Sequence, residues 1–165
     1  MESPKTISDV TLGLALPSEA KTIALMSKRL IEARLPWSWT PKRVTRHIRH
    51  RDSVVLTART GGKLAGFAIM QFSDTTAHLN LLAVEPKYEG LGIGRRLVAW
   101  LEATAITAGT FDVALEVRAT NVGARWFYRR LGYREDRCIA GYYCRVENAV
   151  RMVRDLRVDC GKNAI

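Results

Sequence analysis

A chain of 165 residues with 47% hydrophobic and 25% charged residues suits one globular domain, expected to span 1–165, and excludes a disordered or low-complexity class. No apolar run nears the roughly 20 residues that span a bilayer, and segment 1–9 lacks the apolar centre of a signal peptide, so a soluble protein with no membrane partner is expected. The net charge of +10 invites an acidic or RNA partner without naming an activity, and Cys138, Cys144 and Cys160 show no C-x-x-C spacing, against a zinc site or disulfide framework and for a reducing cytoplasm.

Residues 1–9 read as a loose tail, followed by a strand from Val10 to Leu16. Pro17 stops that strand, and Ser18 is placed to cap a helix reaching Arg34, with Ile23, Leu25, Met26, Leu30 and Ile31 on its apolar side. Thr40 caps a second helix, Pro41 to His50, with proline at its first position. Its Arg43, Arg46, Arg49 and His50 make either a solvated or a binding face, and His47 and His50 lack a partner at metal-ligand spacing, so no metal is expected. Ser53–Arg59 and Leu64–Phe72 pair around a Gly61-Gly62 turn, and a third strand ends at Val84. A helix from Gly94 to Ala108, a strand Val113–Val117, a helix Val122–Leu131 opened by Asn121, and a hairpin turning at Ala140-Gly141 complete the chain.

The segment 79–108 organises the rest. A strand, the glycines Gly90, Gly92 and Gly94, and a helix start together form an anion site, because the first helical turn has unpaired N–H groups and a positive dipole end. Arg95 and Arg96 add positive charge. The Walker pattern fails, since the loop ends Gly-Arg-Arg, and the Rossmann pattern fails on spacing. A tight turn without a ligand stands as the alternative.

Val84-x-Pro86 followed by Glu89-Gly90-Leu91-Gly92-Ile93-Gly94 resembles the acetyl-CoA loop of GNAT-family N-acetyltransferases, with Glu89 departing from the usual Gln or Arg. The resemblance implies an α/β (α+β) GNAT fold: a mixed, mostly antiparallel, twisted sheet of about seven strands with about four helices, splayed between the fourth and fifth strands. It implies acetyl-CoA as cosubstrate, with Gly90, Leu91, Gly92, Ile93, Gly94 and Arg95 around the pyrophosphate and Leu82, Ala83 and Val84 pairing with pantetheine.

Acetyl transfer to an amine needs a base, stabilisation of the carbonyl oxygen and a proton for the departing thiolate. Glu116 interrupts the apolar strand Val113–Val117, where burial would raise its pKa and suit a base; the alternative is a structural pair with Arg118 or another arginine. Tyr128 is either an acid or a core aromatic. The segments Leu115-Glu116-Val117-Arg118-Ala119-Thr120-Asn121 and Phe127-Tyr128-x-x-Leu131-Gly132-Tyr133 resemble the RimI subgroup, which acetylates the N-terminal alanine of a ribosomal protein. That resemblance implies Glu116 as general base, Tyr128 as acid and cofactor contact, Asn121 on the cofactor, and Pro36-Trp37-Ser38 near the acceptor. The expected acceptor is a protein or peptide N-terminal α-amine, with the ribosome or another acidic partner nearby and a monomer or homodimer both open. The rivals are a small-amine acetyltransferase and a basic RNA- or ribosome-binding module with a vestigial CoA site.

Overall fold

A computed structural model describes residues 9–160; the expected tail lies outside them except for Asp9. The elements follow the expected order: β1 (Val10–Leu14), α1 (Ala20–Leu30), α2 (Pro41–Arg49), β2 (Ser53–Thr60), β3 (Lys63–Phe72), β4 (Thr76–Val84), α3 (Ile93–Thr107), β5 (Asp112–Arg118), α4 (Val122–Arg130), β6 (Arg134–Tyr143) and β7 (Glu147–Asp155). A last helical turn, α5 (Arg157–Cys160), follows. The seven strands form one sheet in the order β1-β2-β3-β4-β5-β7-β6. β1–β2, β5–β7 and β6–β7 are antiparallel and β4–β5 is parallel, the mixed arrangement expected. The β4–β5 ladder runs from Thr76↔Asp112 to Leu79↔Leu115 and stops, although β4 itself continues to Val84.

The chain divides into two compact units, residues 9–70 with 81–101 and residues 71–80 with 102–160. In the first, Ile23, Ala24 and Met26 of α1 and Val44 of α2 pack with Phe67, Ile69, Leu81 and Ala83 of the strands. The loop between the helices is gathered by one buried carboxylate. Glu32 Oε1 accepts from the Ser38 backbone N–H at 2.7 Å, the Ser38 hydroxyl at 2.6 Å and the Trp39 N–H at 3.2 Å, and Oε2 accepts from the Ser27 hydroxyl at 3.2 Å. Trp39, thus anchored, lies under the Arg43 guanidinium and against His47. In the second unit, the Tyr133 hydroxyl donates to Glu102 at 2.9 Å and Arg154 donates to the same carboxylate at 3.0 Å, tying the end of α3 to β7.

Three expectations are corrected. β1 ends at Leu14, and Ser18 caps nothing: a 3₁₀ turn, Pro17–Glu19, precedes α1, and the Glu19 carboxylate reaches back to the Leu16 N–H at 2.8 Å. The carboxylate at the third position of the turn thus serves the N–H of the residue that precedes it. α1 ends at Leu30 because the Ile31 and Glu32 N–H groups both turn onto the Ser27 carbonyl and Arg34 takes a left-handed φ of 65°; Leu25 faces outward. The last hairpin turns at Cys144 and Arg145, both at positive φ, while Gly141 (φ 62°) lies inside β6 at a shift of register between Ile139 and Tyr143. A glycine at positive φ serves a bulge as readily as a turn.

Gly66 of β3 faces the β4 backbone so closely that an added Cβ would sit 2.7 Å from the Ala83 carbonyl oxygen. Gly66→Ala is expected to lower stability by about 1–3 kcal/mol, the cost typical of overpacking, read as a fall in Tm.

Candidate active site

The strand, glycine turn and helix start are arranged as the sequence suggests. After β4, a 3₁₀ turn, Pro86–Tyr88, buries Tyr88 and hands the chain to Gly90 (φ 79°) and Gly92 (φ 74°). These left-handed glycines allow the backbone to curl its N–H groups toward one side. The Arg96 N–H donates to the Gly92 carbonyl at 3.0 Å, so the N–H groups of Ile93, Gly94 and Arg95 precede the first helical bond and have no acceptor within α3. The side chain of Arg95 is exposed, whereas Arg96 donates to the Val10 carbonyl at 3.1 Å. Glu89 is exposed, and its own N–H closes the 3₁₀ turn on Pro86. Leu91 is half-buried and Ile93 buried; Leu82 and Val84 are half-buried between the core residues Leu81 and Ala83. At the residue following the β4–β5 ladder, the Asn80 Oδ1 is buried with no partner among the described residues. The loop and the helix start, both in the first unit, together fit a pyrophosphate.

Glu116 sits in the second unit, on β5, its side chain 7% exposed. One oxygen meets His78 Nε2 of β4, and the other accepts from Arg151 Nη1 of β7 at 2.9 Å. Burial alone pushes its pKa up, but the His78 hydrogen bond and the charges of His78 and Arg151 outweigh that and hold it below the ordinary carboxylate value. The expected rise is therefore corrected: Glu116 is an ionised, paired carboxylate at neutral pH. Its arginine is Arg151, directly opposite in the ladder, while Arg118 pairs with Glu147 at 2.9 Å. His78, 36% exposed, gives the cluster its face toward solvent. Sequence reasoning missed His78 and anticipated the arginine only as Arg118 or another. Each was visible as an ionisable residue inside an apolar strand, but only the register brings them to Glu116.

Tyr128 of α4 is buried, edge-on to Phe127 and Tyr133, and its hydroxyl makes no hydrogen bond among the described residues. Burial, with Tyr143 adding to it, pushes its pKa far above the ordinary phenol value, so it keeps its proton at neutral pH. Tyr143 is raised by its own burial, then by Tyr142 and Glu116, so this ring is electrostatically coupled to both candidate groups. Asn121 caps α4, its Oδ1 accepting from the Ala124 N–H at 3.0 Å, which leaves its amide nitrogen for other contacts. The structure thus gathers Glu116, Asn121 and Tyr128 in one unit and the glycine loop with Leu82–Val84 in the other.

The acetyltransferase (GNAT) family model matches residues 24–133, about two thirds of the chain. The chain belongs to that family. It is similar to the N-alpha-acetyltransferase RimI of Mycobacterium tuberculosis, 32% identical over 138 residues that cover 81% of this chain and 84% of the relative. It is also similar to the ribosomal protein bS18-alanine N-acetyltransferase of Escherichia coli, 39% identical over 82 residues, 50% of this chain and 55% of the relative. Against the curated relatives of higher identity, the chain spans 55 to 63% of their length. Among solved structures, Ard1 from Thermoplasma volcanium superposes with a TM-score of 0.79 at 22% identity, covering 90% of this chain and 98% of that one, a likeness of fold. Among the described residues no helix is long and apolar enough to cross a membrane, which says nothing of β-barrels.

The depressed Glu116 pKa makes a stability prediction. Its contribution is present above the ordinary value of 4.5 and is lost as the pH falls through the lower folded value. Chemical denaturation of wild type and Glu116→Gln across pH 2–7 is expected to show a constant gap above about pH 5 that narrows below it.

Proposed function

We propose that the chain is a single-domain, acetyl-CoA-dependent N-acetyltransferase that transfers acetyl directly to a primary amine, with a protein or peptide N-terminal α-amine as acceptor. The observation that carries this reading is the buried, ionised Glu116 hydrogen-bonded to the half-exposed His78. The relatives named for alanine and α-amine acetylation support the acceptor, and the family match running through both units supports a single domain.

The amine must shed its proton before it can attack. Glu116, with its lowered pKa and both oxygens engaged, is a weak base on its own. It serves better by accepting the Nε2–H of His78, which leaves the Nδ1 lone pair to take the amine's proton. Arg151 keeps the carboxylate ionised and in place. Acetyl-CoA supplies the activated acetyl group as a thioester. Its pyrophosphate suits the N–H groups of residues 90–95, and its amide arm suits the backbone of Leu82–Val84. The Val84 N–H or its neighbour would polarise the carbonyl. Tyr128, which keeps its proton, donates it to the departing thiolate, and the Asn121 amide is free to steady the cosubstrate.

CoA release, with acetyl-CoA and free-amine peptides, tests the proposal, using pre-acetylated peptides as blanks and polyamines and aminoglycosides as alternatives. His78→Ala, Glu116→Gln and Tyr128→Phe are each expected to lower kcat/KM by roughly 100-fold or more, the range of general acid–base catalysis. His78 and Glu116 act as one unit, so the double variant should be no worse than the worse single one. Wild-type rates in the variants would overturn the roles, and turnover on small amines alone would overturn the acceptor.

A further inference from the structure

α2 carries four cationic side chains in nine residues. Lys42, Arg46 and Arg49 are four and three residues apart, so they stack along one side of the helix over about 10 Å, all exposed, while Val44 is buried. None of the three forms an ion pair among the described residues. The acidic residues nearest in sequence are otherwise engaged: Glu32 holds the Ser38–Trp39 backbone and Asp52 lies 3.7 Å from Arg51. Elsewhere arginines are answered: Arg118 by Glu147, Arg125 and Arg129 by Glu135, Arg154 by Glu102.

Helix electrostatics accounts for only part of this row. Arg46 and Arg49, in the last turn, complement the negative end of the dipole, but Lys42 sits in the first turn, where a cation is unfavourable. Arg43 in that turn has its reason in Trp39, 3.9 Å beneath it; Lys42 has none inside the fold. The positive field is felt locally: burial, then the charges of Arg43, His50 and Arg46, hold the His47 pKa below its ordinary value.

The row has no apolar anchor. Val44 and Ile48 pack inward against the core, so an acidic peptide would find charge but no pocket of the kind that dominates peptide affinity. Guanidinium groups in a row, by contrast, suit phosphates, each of which a guanidinium can engage with two hydrogen bonds. We infer that the outer face of α2 is a docking surface for the phosphate backbone of a nucleic acid, bound by charge and not by sequence. This surface would hold the enzyme near acceptors that are themselves bound to nucleic acid, and it needs no part of the acetyl-transfer reading.

Fluorescence anisotropy with a labelled 20-base-pair duplex, titrated with the 165-residue chain from 50 to 200 mM salt, tests it without any catalytic readout. Lys42→Gln/Arg46→Gln/Arg49→Gln is compared with a charge-matched control, Lys21→Gln/Lys63→Gln/Arg130→Gln, and a decaglutamate peptide is the rival ligand. Wild type is expected to bind at about micromolar strength at the lowest salt, with a steep salt dependence. The α2 variant should flatten the slope of log K against log salt by about 3, roughly 1 per lost phosphate contact, and the control should not. Equal losses in the two variants, no duplex binding below about 100 μM at 50 mM salt, or tighter binding of decaglutamate would each overturn the inference.

Discussion

The second unit depends on what a carboxylate requires when it is taken out of water. Glu116, on β5 with a strand on either side, would be costly to bury alone, and each of its oxygens needs a partner. Those partners come from the strands on either side, His78 from β4 and Arg151 from β7. The order β4-β5-β7, with β7 inserted between β5 and β6, is what makes that possible, since it puts Arg151 opposite Glu116. The parallel register, His78 beside Ala114, brings the imidazole within reach of a carboxylate two residues further along β5. Topology and chemistry meet on one side chain.

That arrangement divides labour between two groups. A carboxylate held ionised by a guanidinium is poorly suited to carry a proton at neutral pH and well suited to orient a neighbour. Tyr128 shows the opposite use of burial: its phenol keeps its proton because nothing nearby stabilises the anion. Burial thus leaves one group ionised and the other protonated at neutral pH, according to whether a cation is within reach.

Much of this was legible in the chain. The strand, the glycines and the helix start at 79–108 read correctly because a left-handed glycine beside a helix start is a local feature, and Thr40 caps α2 through its own side chain as the sequence suggested. Local reading failed where two outcomes share one residue type. Gly141 looked like a turn and is a bulge; Ser18 looked like a cap for α1, which starts instead from a 3₁₀ turn closed by Glu19 on the Leu16 N–H. The direction of the Glu116 shift was beyond reach for a different reason: the groups that set it lie 38 and 35 positions away in the chain, and burial on its own argues the other way.

Glu32 grips the loop between α1 and α2 by the backbone N–H groups of Ser38 and Trp39 and the Ser38 hydroxyl, and it touches none of the side chains at 35–37 through those bonds. The loop's position and its chemical character are therefore separately inherited. Pro36 is exposed and lies outside the staple, so a lineage carrying this fold can retune that point of the loop without first having to rebuild the loop itself.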